Sequence, residues 1–229
     1  VYNAPLIDKK KKVKLGINPI YDFPILAILD PYVVKDAPFK VYASSGCDTL
    51  VHALESFVSK ISNSHTRNFS SIAFKLIIEN FPKILSKTAN IDNWSNMQFA
   101  SVYAMYALSN SSAGPASALS TYLGSHYNIN HGIAGGMFIG KVTRFNFENK
   151  YYDYKILYDF MNKKQINSDS KKAEYVVNEV EKILKLAKIP KSLKSIGINQ
   201  EKEYLKFLEV YKQKKASFKN NPIKIDKIL

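Results

Sequence analysis

The sequence predicts a mainly α-helical domain, a bundle preceded by a short β segment. From about residue 46 onward, apolar residues recur at three- and four-residue steps, the period of helices that bury one face. Before residue 40 the pattern changes to a short alternation and a compact apolar run. The composition, 46% hydrophobic and 23% charged over 229 residues, is that of a chain able to bury a sizeable core. The chain therefore divides into residues 1–40, short strands and linker, and residues 41–229, an all-helical domain.

In the first part, Val13-Lys14-Leu15-Gly16-Ile17 alternates as a strand does, and Pro24 to Leu29 is an apolar run closed by Asp30-Pro31, read as a buried strand. No partner for either is evident in the chain, and a lone hairpin is marginal in water. The N-terminus is therefore expected to belong to a sheet completed elsewhere, with Ile25 to Leu29 an orphan strand. In the second part, Leu50, Val51, Leu54, Phe57, Val58 and Ile61 form the first helical face. Ile72, Leu76, Ile77, Phe81, Ile84 and Leu85 form the next, with Pro82 expected to bend or split it. Met97 to Leu108 is apolar nearly all round and is expected to be a buried central helix. Pro115 suits a first helical turn, Ala116 to Leu123 is small and apolar, and Gly132 to Phe145 reads as another buried helix. Ser168-Asp169-Ser170 is expected to cap an amphipathic helix that Pro190 ends, and Tyr204 to Tyr211 gives the last helix.

The net charge of +14 is spread along the chain, clustering only at Lys9 to Lys12 and thinly across the C-terminal third. It reads as a solvated, lysine-rich surface. No zinc-finger spacing, RNP-like aromatic motif or helix-turn-helix accompanies it, so no nucleic-acid partner is expected. With a single cysteine, no signal peptide and no apolar run of membrane-spanning length, a cytoplasmic protein without a membrane partner is expected.

The chemistry centres on few residues. Of the four histidines, His52 stands four residues after Asp48, which places an imidazole and a carboxylate on one helix face, one turn apart. His131 opens a later helix. One hard oxygen and two borderline nitrogens suit iron, zinc or cobalt better than magnesium or calcium. Three protein ligands with an open position is the layout of a catalytic metal. The same residues also occur in helices as a solvated pair and a satisfied interior histidine, and from spacing alone both readings stay open. Cys47 reads as a buried structural thiol, with nothing nearby in sequence to activate it.

The wider motifs carry more. Asp30-Pro31 followed by Ser45-Gly46-Cys47-Asp48-Thr49-Leu50-Val51-His52-Ala53-Leu54-Glu55-Ser56-Phe57 resembles the segment of iron-containing (group III) alcohol dehydrogenases that gives an aspartate and a histidine to the metal. Leu123-Gly124-Ser125-His126-Tyr127-Asn128-Ile129-Asn130-His131-Gly132 is similar to the segment that gives their last histidine. Phe145-Asn146, Ile189-Pro190 and Asn221-Pro222 match later landmarks, so the resemblance runs from about residue 20 to the end.

What the resemblance implies is a helical domain of the dehydroquinate synthase-like C-terminal type, joined to a Rossmann-like domain that is missing here and would hold NAD(P). The implied function is a metal-dependent NAD(P)-linked alcohol dehydrogenase or aldehyde reductase acting on a small alcohol or aldehyde. This chain would be its metal- and substrate-binding half, expected to be inactive alone; a homodimer is left open. The implied ligands for iron or zinc are Asp48, His52 and His131. The family's fourth ligand, a histidine fourteen residues before the last, is replaced by Ser117, and a further histidine four residues on is replaced by Thr121. By position, Ser117 joins the metal set and Thr121 takes the catalytic place. His126 is the only nearby imidazole in a position to substitute as a ligand, and a packing role suits it better. A glycerol-dehydrogenase-like enzyme and a metal-free, non-catalytic helical domain of the same fold are the alternative readings. The last draws on Ser117 and Thr121.

Overall fold

The computed structural model describes residues 4–8, 13–17, 24–161 and 166–225. The lysine cluster at 9–12 lies outside the described residues. Strand β1 (Ala4–Asp8) pairs antiparallel with β2 (Val13–Ile17), Ala4 opposite Ile17 and Asp8 opposite Val13. The alternating stretch is thus a strand, and its partner is in the chain itself.

The run from Pro24 to Leu29 corrects the sequence reading. It forms no strand, and Ile25, Leu26 and Ile28 are 105%, 74% and 81% exposed. A strand is stable only through its neighbours, and none of the described residues pairs with this one. The segment is fixed at its end instead. Asp30 Oδ1 caps the single turn α1 (Pro31–Val34) by accepting from Tyr32 N, and the Asp30 carbonyl accepts from Gln98 Nε2 at 3.0 Å.

The bundle follows: α2 (Phe39–Val58), α3 (Ser64–Leu85), α4 (Ile91–Ser109), α5 (Pro115–Tyr127), α6 (His131–Glu148), α7 (Tyr154–Phe160), α8 (Asp169–Leu186), α9 (Gln200–Gln213) and α10 (Lys215–Lys219). Helix α2 is the axis. It packs against α3, α4 and α6, and Leu50, Leu54 and Phe57 are fully buried. It begins at Phe39, before its apolar periodicity becomes regular. Two glycines set its closest approaches. A Cβ on Gly46 would lie 2.1 Å from the Phe81 ring of α3, and one on Gly132 of α6 would lie 2.0 Å from the Ser44 carbonyl oxygen.

Pro82 does not split α3, which continues to Leu85. It sits in the last turn, so little helix follows the hydrogen bond it cannot make. Helix α4 is not buried all round. Only Asn93, Ala100, Ala104 and Ala107 are buried, while Phe99, Val102 and Tyr106 are 43%, 45% and 46% exposed. The small alanines are its fully buried apolar residues, while Trp94 packs on Tyr42 of α2, and Tyr103 and Tyr106 pack on Phe69 of α3, at the edge of the core. Ser168 precedes α8 as expected, but its hydroxyl contacts Ser170 Oγ and caps no backbone N–H.

Buried amides close the bundle. Asn80 Oδ1 accepts from Asn93 and Asn96, tying α3 to α4. Asn146 and Asn221 exchange reciprocal amide bonds of 3.0 and 2.6 Å, tying the C-terminal segment to α6. Among the described residues no helix is long and apolar enough to cross a membrane.

Candidate metal centre

Asp48 and His52 project from one face of α2 one turn apart, and His131 is the first residue of α6. The close passage at Gly132 brings the start of α6 against Ser44, so all three side chains meet. Nε2 of His52 and Nε2 of His131 each lie 3.8 Å from Oδ1 of Asp48. That oxygen is buried and has no hydrogen-bond partner. The 3.8 Å approaches are longer than hydrogen bonds. Among the described residues no group of three or more His, Cys, Asp or Glu side chains is placed to hold a metal ion as it stands.

The tautomer of His131 follows from its neighbour. Ser120 Oγ donates to the Ser117 carbonyl at 2.9 Å, which uses its one proton. Its 3.1 Å contact with His131 Nδ1 is then one in which the ring N–H donates to the hydroxyl oxygen. A longer 3.5 Å contact runs to Nε2; the shorter one sets the assignment, which is inferred from the network. Nδ1 carries the hydrogen and Nε2 presents its lone pair toward Asp48. An ionised carboxylate oxygen and an imidazole lone pair are both acceptors. Acceptors brought together without a donor repel one another, and a buried unpaired carboxylate oxygen is costly. A cation shared among them relieves both. In donor chemistry, one oxygen and two imidazole nitrogens, the set fits a borderline divalent ion.

Ser117 is otherwise engaged. Its hydroxyl donates to Glu55 Oε2 at 2.5 Å, while its backbone N–H and that of Ala116 donate to Glu55 Oε1 at 3.1 and 2.7 Å. Glu55 is 2% exposed and caps the first turn of α5, a place where a carboxylate is favoured by free N–H groups and by the helix dipole. Burial pushes its pKa up, against the lowering effect of these hydrogen bonds. Thr121 bonds back to the Ser117 carbonyl at 3.0 Å within α5. His126 lies against the Tyr122 ring with centroids 4.2 Å apart. Burial pushes the Cys47 thiol up to about 12, with the Asp48 carboxylate adding to it, so the thiol is inert.

The structure therefore brings Asp48, His52 and His131 together and turns the Ser117 and Thr121 hydroxyls to other partners. Sequence reading missed Glu55 and Ser120. Glu55 was legible as the next residue on the Asp48–His52 face, one turn on. Ser120 was not, because its role depends on where α6 begins relative to α5.

Residues 42–228 match the C-terminal region of the Fe-containing alcohol dehydrogenase family. The chain is 28% identical over 196 residues to the 1,3-propanediol dehydrogenase of Citrobacter freundii, covering 85% of this chain and 51% of that enzyme. It is 27% identical over 199 residues to the NAD-dependent methanol dehydrogenase of Bacillus methanolicus, covering 86% and 52%. A crystal structure of 1,3-propanediol oxidoreductase superposes with a TM-score of 0.86 at 25% identity, covering 98% of this chain and 59% of that one. The chain thus spans about half the length of these curated relatives.

Proposed function

The chain belongs to the Fe-containing alcohol dehydrogenase family, and from that premise we propose that it is the metal- and substrate-binding half of an NAD(P)-linked alcohol dehydrogenase or aldehyde reductase. The observation that carries this reading is the buried, unpartnered Asp48 Oδ1 faced by two imidazole Nε2 atoms. Asp48, His52 and His131 would hold iron or zinc, after side-chain rotation to close the set. When bound, the ion would supply Lewis-acid polarisation of an alcohol or aldehyde oxygen.

The chain's own residues prepare that chemistry. Ser120 accepts from the His131 Nδ1–H and so sets the tautomer with the lone pair on Nε2, the one a metal would take. Glu55 anchors the start of α5, the helix that carries Ser120. The nicotinamide would come from a glycine-rich, strand-rich domain, for which this sequence has no phosphate-binding turn. The NAD-dependent relative supports the cofactor class. The single cysteine, buried and free, suits a cytoplasmic setting.

A second reading has its own support. Ser117 in place of an imidazole, bonded to Glu55, suits a metal-free helical domain that has kept the fold without catalysis. Zinc or ferrous-iron binding to the purified chain separates the two. The proposal expects saturable binding that Asp48→Asn removes. Absence of binding by the wild-type chain would leave the second reading. NADH fluorescence with this chain alone should show no saturation; micromolar binding would mean that the helical domain contributes a cofactor site.

A further inference from the structure

A cavity opens at the end of the bundle where α2 and α6 begin and α3 and α8 finish. It is a cleft of about 970 Å³, and Lys40, Lys87 and Lys188 line it together with Phe39, Ser45 and Asn130. None of its lining residues is acidic. Some cations elsewhere in the described structure are ion-paired, Lys155 with Asp169, Lys172 with Asp159, Lys206 with Glu203 and Arg144 with Glu181, while many exposed lysines are not. No described carboxylate forms an ion pair with Lys40, Lys87 or Lys188. A chain of net charge +14 has lysines everywhere, but this cleft gathers three of them without a counter-charge. Lys188, in a left-handed backbone conformation just past α8, holds Nζ 5.1 Å above the Phe39 ring, at the cleft wall. Lys87 is also left-handed, just past α3. Each therefore lies just past a helix end and lines the cleft.

Two residues that line the cleft, Ser45 and Asn130, stand close in sequence to the metal candidates. Ser45 lies three residues before Asp48 and shares its helix face. Asn130 immediately precedes His131 and is held by Ser44, which donates to its Oδ1. Phosphate, carboxylate and sulfonate groups are what such a setting recognises, because three like charges attract one anion and none of the three has a carboxylate to leave.

We propose that this cleft is an oxyanion-binding site, taking the phosphate, carboxylate or sulfonate group of a ligand whose other end reaches toward Asp48, His52 and His131. The cleft's affinity for an anion stands on its own residues; the direction of the ligand's other end rests on the metal reading above. The site narrows the substrate class to an anionic alcohol or aldehyde, or else receives a phosphate of the dinucleotide.

The test titrates inorganic phosphate into the 229-residue chain with a chelator present, at constant ionic strength, following backbone amide resonances. Saturable shifts are expected at Lys40, Lys87, Ser45 and Asn130. Lys40→Ala, Lys87→Ala and Lys188→Ala, all at exposed side chains, should each weaken binding by about three- to tenfold. Lys202→Ala, on exposed α9, should leave it unchanged. Competition by adenosine diphosphate would assign the anion to the dinucleotide, and competition by a short hydroxyalkyl carboxylate would assign it to the substrate. Shifts that do not saturate, or that the three variants leave unmoved, would overturn the proposal. Zinc titrations of the same variants should match wild type, so that failure of the metal reading and failure of the cleft are read separately.

Discussion

At the scale of single residues, the site rests on who holds whose proton. Ser120→Ala removes the acceptor that fixes the His131 ring and should lower zinc affinity by roughly tenfold or more, the usual cost of losing a partner of a ligating imidazole. Ser117→Ala should change zinc affinity little, because its hydroxyl serves Glu55; a titration calorimeter distinguishes the two. Ser117→His should raise affinity by about tenfold if the new imidazole displaces a water ligand, and no gain would mean that the site is shaped for three ligands or none. Gly132→Ala should unfold the α2–α6 contact, since its Cβ would meet backbone at 2.0 Å, and should cost about 3 kcal/mol in urea unfolding. Asp48, His52 and His131 were legible from spacing and motif. The engagement of Ser117 was not, because Glu55 reaches it from 62 positions earlier in the chain.

At the scale of elements, the helices were legible wherever one face is apolar and the other wet, as in α8, with Val176, Val177, Val180 and Ile183 buried. The reading failed where side-chain size decided the packing. In α4 the alanines are fully buried and the aromatics only partly so. The attachment of α9 was also hidden, since it depends on polar contacts far apart in sequence. Glu203 accepts from the Tyr122 hydroxyl, and hydrogen bonds from Tyr122 and Tyr127 hold its carboxyl down at about 2, below the ordinary 4.5. A lowered carboxylate stabilises the fold above its ordinary range and loses that contribution as pH falls through the lowered value. Thermal midpoints of the wild type should therefore drop more steeply than those of Glu203→Gln between about pH 4.5 and 2. Parallel slopes would place the tether elsewhere. Asn221→Ala, which strands the buried Asn146 amide, should cost about 1–3 kcal/mol.

At the scale of the whole molecule, two short strands precede a helical bundle whose first long helix begins at Phe39. What the sequence could not show is how the apolar run before α1 behaves. It was expected as a strand and lies in the open, with Tyr32 and Val33 beyond it 64% and 77% exposed. Contiguous exposed apolar surface promotes association. Light scattering should show the chain self-associating, and Ile25→Lys with Ile28→Lys should reduce this without lowering the thermal midpoint. The central claim is that Asp48, His52 and His131 form a metal site, and cobalt substitution followed by visible absorption tests it most directly. The account predicts saturable d–d bands at one ion per chain, absent in Asp48→Asn and in His131→Ala while both variants keep the helical circular-dichroism spectrum. Wild-type protein that takes up no cobalt, or bands that survive in Asp48→Asn, would contradict it.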